Sequence, residues 1–302
     1  MNSRKAPIAL AVVLASAALT AVLTSSAFAG FAADPRLDDV QLGQKHGIAY
    51  VKDVETVVDS GSTLAPTGCP GKGEKWRVAG GGYSAGKSFN LINMTRPLDY
   101  SDDDHLADDY WEVESNSSGI GTKITGYAVC MKEPKLKYAN EVAPDAPDAE
   151  RTLTVACPGK TEPIGGGASI GHSDSYLESL YPSGDGFKAE AHDFANGTGN
   201  FAADAICLKN PSVETVKRTF RVEANSNRNV KVIAEAPAMA MGNLYQTQGG
   251  SIGPGIPSTV FVSRPFDGND KDKVPEDGWE FSISNTSSSS EKVTVGAINF
   301  IP

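Results

Sequence analysis

The 302-residue chain has a formal net charge of −10, with 40% hydrophobic and 21% charged residues. This balance is typical of a globular protein rather than a disordered one. The negative charge disfavours binding to nucleic acid or to an anionic membrane surface, because both carry phosphates that the chain would repel. No basic stripe with interleaved aromatic residues stands out to offset that repulsion.

The first 29 residues predict a secretory signal peptide. Arg4 and Lys5 precede an apolar stretch at residues 8–22, and an Ala-Phe-Ala cleavage site follows at 27–29. Removal of the two cations takes the charge to −12 for residues 30–302, which we predict to form a single domain. No later apolar run reaches the roughly 18 residues of a membrane span. We therefore expect a secreted, extracellular protein.

One sequence unit then occurs three times, within residues 54–134, 152–211 and 213–302. Each copy has five parts: an opening segment, which is Cys-Pro-Gly-Lys in copies one and two, then a glycine-rich segment, a proline corner, an aromatic strand and a short closing strand. In copies one and two these are Cys69 to Lys72, Gly80 to Gly82, Arg96-Pro97, Trp111 to Asn116 and Tyr127 to Cys130, then Cys157 to Lys160, Gly165 to Gly167, Tyr181-Pro182, Phe187 to Asn196 and Asp204 to Cys207. Copy three is degenerate, with Ala236-Pro237, Gly249-Gly250, Arg264-Pro265, Trp279 to Asn285 and Gly296 to Asn299.

The repeat selects one disulfide pairing from the three that four cysteines allow. Copy three replaces both cysteine positions together, by Ala236 and Asn299, as the loss of one bridge within a copy would require. We therefore predict that one bridge lies within each of the first two copies. The pairs are Cys69 with Cys130 and Cys157 with Cys207. Zinc is disfavoured because no CxxC pair occurs and the four histidines are scattered.

Short alternating or β-branched runs, bounded by Gly, Pro, Asn and Asp, predict an all-β fold. Examples are residues 48–51, 152–156, 230–233, 258–262 and 293–298. Three copies of about four antiparallel strands favour a three-sheet β-prism with pseudo-threefold symmetry, one copy forming each sheet. A β-trefoil and tandem β-sandwiches are the alternatives. The polar segments 138–151 and 212–229 are interpreted as linkers between sheets.

The CPGK, glycine-triplet and AxC arrangement resembles a repeat of exported proteins from Gram-positive bacteria. More loosely, it is similar to the threefold β-prism of the vitelline membrane outer layer protein. The resemblance covers about residues 54–302, and copy three departs from it by lacking both cysteines. It implies a fold and an extracellular setting, and it implies no catalytic residue or cofactor.

Two features suggest chemistry, and we interpret both as structural. A GxSxG motif, typical of the serine hydrolase nucleophile, occurs around Ser84, Ser169 and Ser251. An active site has one nucleophile rather than three, so we predict equivalent bends. Acidic loops follow the proline corners, at residues 99–109 and 267–277, and clustered carboxylates can hold Ca²⁺. They do not fit the EF-hand template, so solvated loops without a metal are preferred.

Five aromatic residues near loops and glycine bends are candidates for stacking on a sugar. They are Trp76, Tyr83, Tyr100, Tyr110 and Tyr181. The leading hypothesis is an exported, non-enzymatic protein that acts by surface interaction, with an extracellular glycan or cell-envelope polymer as its partner. The alternatives are a structural envelope protein without a small ligand and a cryptic extracellular hydrolase.

Overall fold

The computed structural model describes most of the chain after residue 39. The described residues are 40–56, 61–70, 75–86, 91–99, 106–117, 122–132, 134–144, 149–171, 175–193, 199–235, 237–247, 258–268 and 272–302. The predicted signal peptide lies outside them. Within these ranges the chain is all β, as predicted, and no helix is long or apolar enough to cross a bilayer.

Each copy contains six strands rather than about four, and one further strand, β1 (Val40–Lys45), precedes them. Copy one contains β2 (Ile48–Thr56), β3 (Gly61–Gly68), β4 (Trp76–Ser84), β5 (Leu91–Leu98), β6 (Tyr110–Ser117) and β7 (Lys123–Lys132). Copy two contains β8 (Lys137–Pro144), β9 (Ala149–Ala156), β10 (Thr161–Ile170), β11 (Ser175–Ser183), β12 (Gly186–Asp193) and β13 (Asn200–Lys209). Copy three contains β14 (Val213–Val222), β15 (Ser226–Ile233), β16 (Met239–Thr247), β17 (Thr259–Phe266), β18 (Gly278–Asn285) and β19 (Glu291–Phe300).

The strands form three antiparallel sheets arranged as in a β-prism, which confirms the predicted fold class. Sheet A has the order β1-β2-β7-β4-β17-β18-β15, sheet B the order β3-β6-β5-β10-β13-β8, and sheet C the order β14-β19-β16-β11-β12-β9. Every sheet therefore joins half of one copy to half of the next, through the pairs β5–β10, β11–β16 and β17–β4. The expectation of one sheet per copy is wrong.

The segments interpreted as linkers are strands. Residues 138–151 lie largely in β8 and at the start of β9, and residues 212–229 contribute β14 and the start of β15. In each copy the first two strands lie at the free edges of two different sheets, with β1 added outside β2. Because an edge strand has one unpaired side and few buried residues, its sequence lacks the apolar alternation that marks a strand.

The glycine-rich strands close the prism around the pseudo-threefold axis. A side chain on Gly80 would overlap the carbonyl oxygen of Met241, and one on Gly165 would approach the carbonyl oxygen of Ala79 at 2.7 Å. The third contact runs from Gly242 to the carbonyl oxygen of Ile164, at 3.1 Å. Each copy thus contacts the next in a cycle. Glycine suits these positions because backbone packs on backbone, most closely at Gly80 and least closely at Gly242.

Strand register corrects the alignment of copy three. A β-bulge immediately precedes Gly80, Gly165 and Gly242 in their strands. Gly242 is therefore the first residue of the copy-three segment that corresponds to the glycine triplet. Its other members are Asn243 and Leu244. The predicted counterparts Gly249 and Gly250 lie outside the described residues.

A fully buried aromatic ring underlies each of the three sheets. Trp111 and Trp279 each donate a hydrogen bond of 2.9 Å through Nε1, to the hydroxyl groups of Thr95 and Ser263 respectively. In copy two the equivalent ring is that of Phe187, and Leu180 occupies the position of Thr95 and Ser263. Copy two therefore lacks both the donor and the acceptor, so neither group of this pair is left without its partner.

The structure contains both disulfides with the pairing that the repeat indicates. Cys69 bonds to Cys130 and Cys157 to Cys207, each with a Cα–Cα distance of 5.8 Å. The copy-three counterpart of Cys69 and Cys157 is Ala234 rather than Ala236, because all three residues donate a backbone hydrogen bond to the same position before the fifth strand. Asn299 is opposite Ala240, as Cys130 is opposite Val78.

Candidate binding surface

Two of the three serine motifs have their serine on a strand, not on a strand-to-helix elbow. Ser84 ends β4 and Ser169 lies near the end of β10, and both are half-buried. The Ser169 hydroxyl accepts a hydrogen bond of 3.1 Å from Arg96 Nη1. An arginine is always protonated and cannot act as the base that a serine nucleophile requires. Ser251 lies outside the described residues, and the position equivalent to Ser84 in copy three is Gln246.

Three of the five candidate aromatic residues are buried, which contradicts a role in stacking on a sugar. Trp76 is 8% exposed, and Tyr83 and Tyr110 are 1% exposed. The Tyr83 hydroxyl donates a hydrogen bond of 3.0 Å to the carbonyl oxygen of Val260, so the ring is buried and its polar group is also paired inside the protein. These residues are close to loops in the sequence, which favours exposed rings. In the structure strand pairing turns the rings towards the core.

The other two aromatic candidates offer no open ring platform in the described region. Tyr181 is half-buried, its hydroxyl donates to Glu190 at 3.1 Å, and Lys188 Nζ lies 5.5 Å from the ring centre. Tyr100 lies outside the described residues. A sugar would have to displace the Lys188 ammonium group before it could stack on Tyr181.

Charged side chains pair across strands in the middle of sheets A and B. Arg96 forms two contacts with Asp204, from Nε at 2.8 Å and from Nη2 at 3.0 Å, and Asn140 also donates to that carboxylate. Burial raises the Asp204 pKa to about 6 even though Arg96 opposes the shift, so the pair is ionised at neutral pH. In sheet A, Arg264 contacts Glu280 at 2.8 Å. These pairs link strands and leave little charge free for a ligand.

Sequence reasoning missed two buried carboxyl groups. Burial raises the pKa of Glu112 and of Glu178 to about 7, so each is partly protonated at neutral pH. Tyr176 donates to Glu178 at 3.1 Å and stacks on His192 with ring centres 5.9 Å apart. These polar residues carry no sequence motif. Tyr176 and Glu178 are two residues apart on β11, and the pairing of β11 with β12 places His192 opposite Tyr176.

The described parts of the acidic loops are used in internal contacts. Asp108 is buried and pairs with Arg77, while Lys45 lies between Asp272, at 2.8 Å, and the buried Glu276. Within the described ranges no group of three or more acidic, His or Cys side chains has a geometry that could hold a metal ion. Residues 102–104 and 270, where the charge is densest, lie outside those ranges.

The most distinctive surface is a cationic hairpin edge formed by β14, β15 and the neighbouring end of β19. We call its six exposed cations the basic edge: Lys217, Arg218, Arg221, Arg228, Lys231 and Lys292. None of them forms an ion pair with a residue that the structure describes. The polar sequence of this hairpin favours a linker, and the negative net charge of the whole chain conceals that the hairpin itself is positively charged.

Cross-strand register places these cations on two sheets that meet at one edge. Lys217 and Arg221 share one face of β14, and Arg221 is directly opposite Lys292. On the sheet A side, Arg228 lies 4.5 Å from the ring centre of Phe220, and Lys231 lies 4.5 Å from that of Phe266. The basic stripe with aromatic neighbours that the sequence did not reveal is therefore present here.

The pseudo-threefold symmetry provides two internal comparisons for this edge. Residues 213–233 hold five Lys or Arg and two Glu, a net charge of +3. The equivalent hairpins, residues 48–68 and 137–156, each have a net charge of −2, from one cation against three acids and two against four. The inverted charge is thus specific to copy three and does not follow from the fold.

Comparison with known proteins gives one short match. A family model described as RebB, killing trait, matches residues 224–260. This segment includes Arg228 and Lys231 of the basic edge, and it is a small part of the 302-residue chain. A search of curated proteins finds no match.

Proposed function

We propose that this protein is an exported, non-enzymatic protein that acts by surface interaction with an extracellular glycan or cell-envelope polymer. The observation that supports this function best is the basic edge, a set of exposed cations that form no ion pair within the described part of the chain. Arg221 and Arg228 do donate hydrogen bonds there, to the Ser290 hydroxyl at 3.2 Å and to the Arg221 carbonyl oxygen at 2.7 Å, but neither acceptor neutralises their charge. The two disulfides are typical of proteins outside the cytoplasm.

A binding role agrees with the way that the reactive-looking residues are used. The Ser169 hydroxyl lies beside an arginine donor, and Arg96 is itself engaged with Asp204. Binding along an exterior edge needs neither an activated nucleophile nor a deep cleft. The ligand contact would come from exposed cations whose charge no described acid neutralises.

Two measurements test this proposal. The mature chain should co-sediment with isolated bacterial cell walls more strongly than with crystalline cellulose, which is neutral. A serine-directed fluorophosphonate probe should leave Ser84 and Ser169 unlabelled. Absence of any cell-wall binding would contradict the binding role, and selective labelling of either serine would support the hydrolase alternative instead.

A further inference from the structure

We infer that the polymer bound at the basic edge is a linear anionic polysaccharide, which lies along the β14–β15 hairpin; this inference rests on the proposed function. The row formed by Lys217, Arg221 and Lys292 gives the contact its direction. Residues 217 and 221 are four apart on one strand, so their Cα atoms are about 13 Å apart at 3.3 Å per residue. Repeated anionic groups on an extended chain can contact such a row in succession.

The charge of the remaining surface favours a thin chain over a broad one. The whole protein has a net charge of −10, so the residues outside the +3 hairpin carry −13. A bilayer or another extended anionic surface would face these acids as well as the basic edge. A single polysaccharide chain confined to the edge avoids them, because charges beyond about one Debye length, roughly 8–10 Å, are screened.

The distribution of the cations also argues against a flat partner. Arg221 and Lys292 lie on sheet C, while Arg228 and Lys231 lie on sheet A. Arg228 and Lys231 are three residues apart and so lie on opposite faces of β15. A plane that touched the sheet C cations would leave both at its margin, whereas a chain that bends over the edge can reach them.

The aromatic residues at this edge favour a glycan over a nucleic acid. Phe220 and Phe266 are each covered by a cation, from Arg228 and Lys231 respectively. Single-stranded nucleic acids gain much of their affinity from bases stacked on open rings. With both rings covered, contacts to sulfate, phosphate or carboxylate groups of the ligand supply the affinity.

Edge protection is the competing explanation for these cations, because charged side chains on edge strands prevent sheets from pairing with one another. Charge of either sign serves that purpose, and the two equivalent edges carry −2 each. Edge protection therefore does not require the change of sign in copy three, and the two explanations predict different results for the same variant.

The test measures binding of the mature full-length protein to heparin, polygalacturonate, neutral dextran, a single-stranded DNA oligomer and anionic phospholipid vesicles. The variant Lys217→Gln/Arg221→Gln/Lys292→Gln removes the sheet C row. The matched control, Lys75→Gln/Lys160→Gln/Lys123→Gln, removes three exposed lysines elsewhere. Both variants lose the same charge, and unchanged melting curves establish that both are folded.

We expect the wild-type protein to bind heparin or polygalacturonate and not dextran. At about fivefold per cation, the edge variant should bind about a hundredfold more weakly. The slope of log K against log salt should fall by up to about 2.7, at 0.9 per lost contact. A second variant, Arg228→Gln/Lys231→Gln, should lose about 25-fold from the sheet A side. The control should stay near the wild-type affinity.

Several results would overturn the inference. Equal losses in the edge variant and the control would show that total charge, not the edge, determines binding. Tighter binding to DNA or to vesicles than to either anionic glycan would reject the polysaccharide. Self-association of the edge variant, with no polyanion affinity in the wild type, would establish edge protection. Cell-wall binding without any polyanion affinity would leave the proposed function standing and reject this inference alone, and loss of both would reject both.

Discussion

Glycine-to-alanine substitutions at the pseudo-threefold axis should destabilise the protein in a graded order. An added Cβ would overlap the Met241 carbonyl oxygen at Gly80, lie 2.7 Å from a carbonyl oxygen at Gly165, and lie 3.1 Å from one at Gly242. None of the three glycines has a positive φ, so the backbone conformation itself suits alanine. The three substitutions are chemically identical and differ only in how closely the next copy packs.

Two opposing contributions set the size of each effect. Alanine lowers the conformational entropy of the unfolded chain and so stabilises by about 0.4–1 kcal/mol. Overpacking costs about 1–3 kcal/mol, and more where backbone has to move. At Gly242 a shift of a few tenths of an ångström suffices, so the net change should lie within about 1 kcal/mol of zero. Gly80→Ala should cost about 3 kcal/mol, and Gly165→Ala should fall between them.

Urea unfolding followed by tryptophan fluorescence measures these differences directly, because Trp111 and Trp279 are fully buried. For a domain of this size, Gly80→Ala should also lower the melting temperature by about 6–12 °C. Equal effects at all three positions, or the largest loss at Gly242, would refute the idea that close backbone packing at the axis dictates these glycines.

The sequence predicted the parts of the fold that the repeat encodes directly. The two cysteine pairs and the all-β class follow from residues that recur at matching positions. The repeat shows that the copies are alike, but it does not show which copy pairs with which. The joining contacts β5–β10, β11–β16 and β17–β4 are made between copies, so one sheet per copy was a natural but wrong reading.

The sequence alignment of copy three is wrong because it matches Gly249 and Gly250 to the glycine triplet. The structural counterpart of the triplet begins at Gly242 instead. Among the described glycines of copy three, Gly242 is the one that packs against another copy at the axis, and the next two positions are occupied by Asn243 and Leu244. Asn243 uses its side chain to donate a hydrogen bond of 2.6 Å to the carbonyl oxygen of Gly81. A Cβ at the second and third glycines of copies one and two would overlap neighbouring atoms, yet copy three has side chains at both of these positions. The need for glycine therefore depends on how each copy packs, which composition alone does not reveal.

The candidate binding surface was the least predictable part. Strands β14 and β15 are polar because they lie at sheet edges, and the same polarity led us to predict a linker. Averaging charge over an acidic chain then hid a +3 segment. A comparison of net charge between equivalent hairpins of the three copies would have found it from the sequence, once the copies had been aligned by strand rather than by motif.

Three further predictions concern the core and its covalent links. Replacing Cys157 and Cys207 by Ser should lower the free energy of unfolding by about 4 kcal/mol, as measured in urea, since the bridge closes a loop with a sequence separation of 50 residues. Burial raises the Glu112 pKa from 4.5 to about 7, so the folded state holds this proton more tightly. The resulting stability is complete below about pH 4.5 and is lost as the pH rises through 7, and Glu112→Gln should flatten this decline in unfolding free energies measured from pH 4.5 to pH 7.5. Finally, Ala234→Cys combined with Asn299→Cys should create a third bridge. These positions match those of the two existing bridges in strand register, and the Asn299 amide is buried without a hydrogen-bond partner among the described residues. Because the new bridge would close a loop of similar length and remove that unsatisfied group, we expect about 4 kcal/mol of added stability or more. Non-reducing peptide mapping should link positions 234 and 299. Free thiols at both positions in the folded, oxidised protein would show that the pseudo-threefold symmetry fails at this end of copy three.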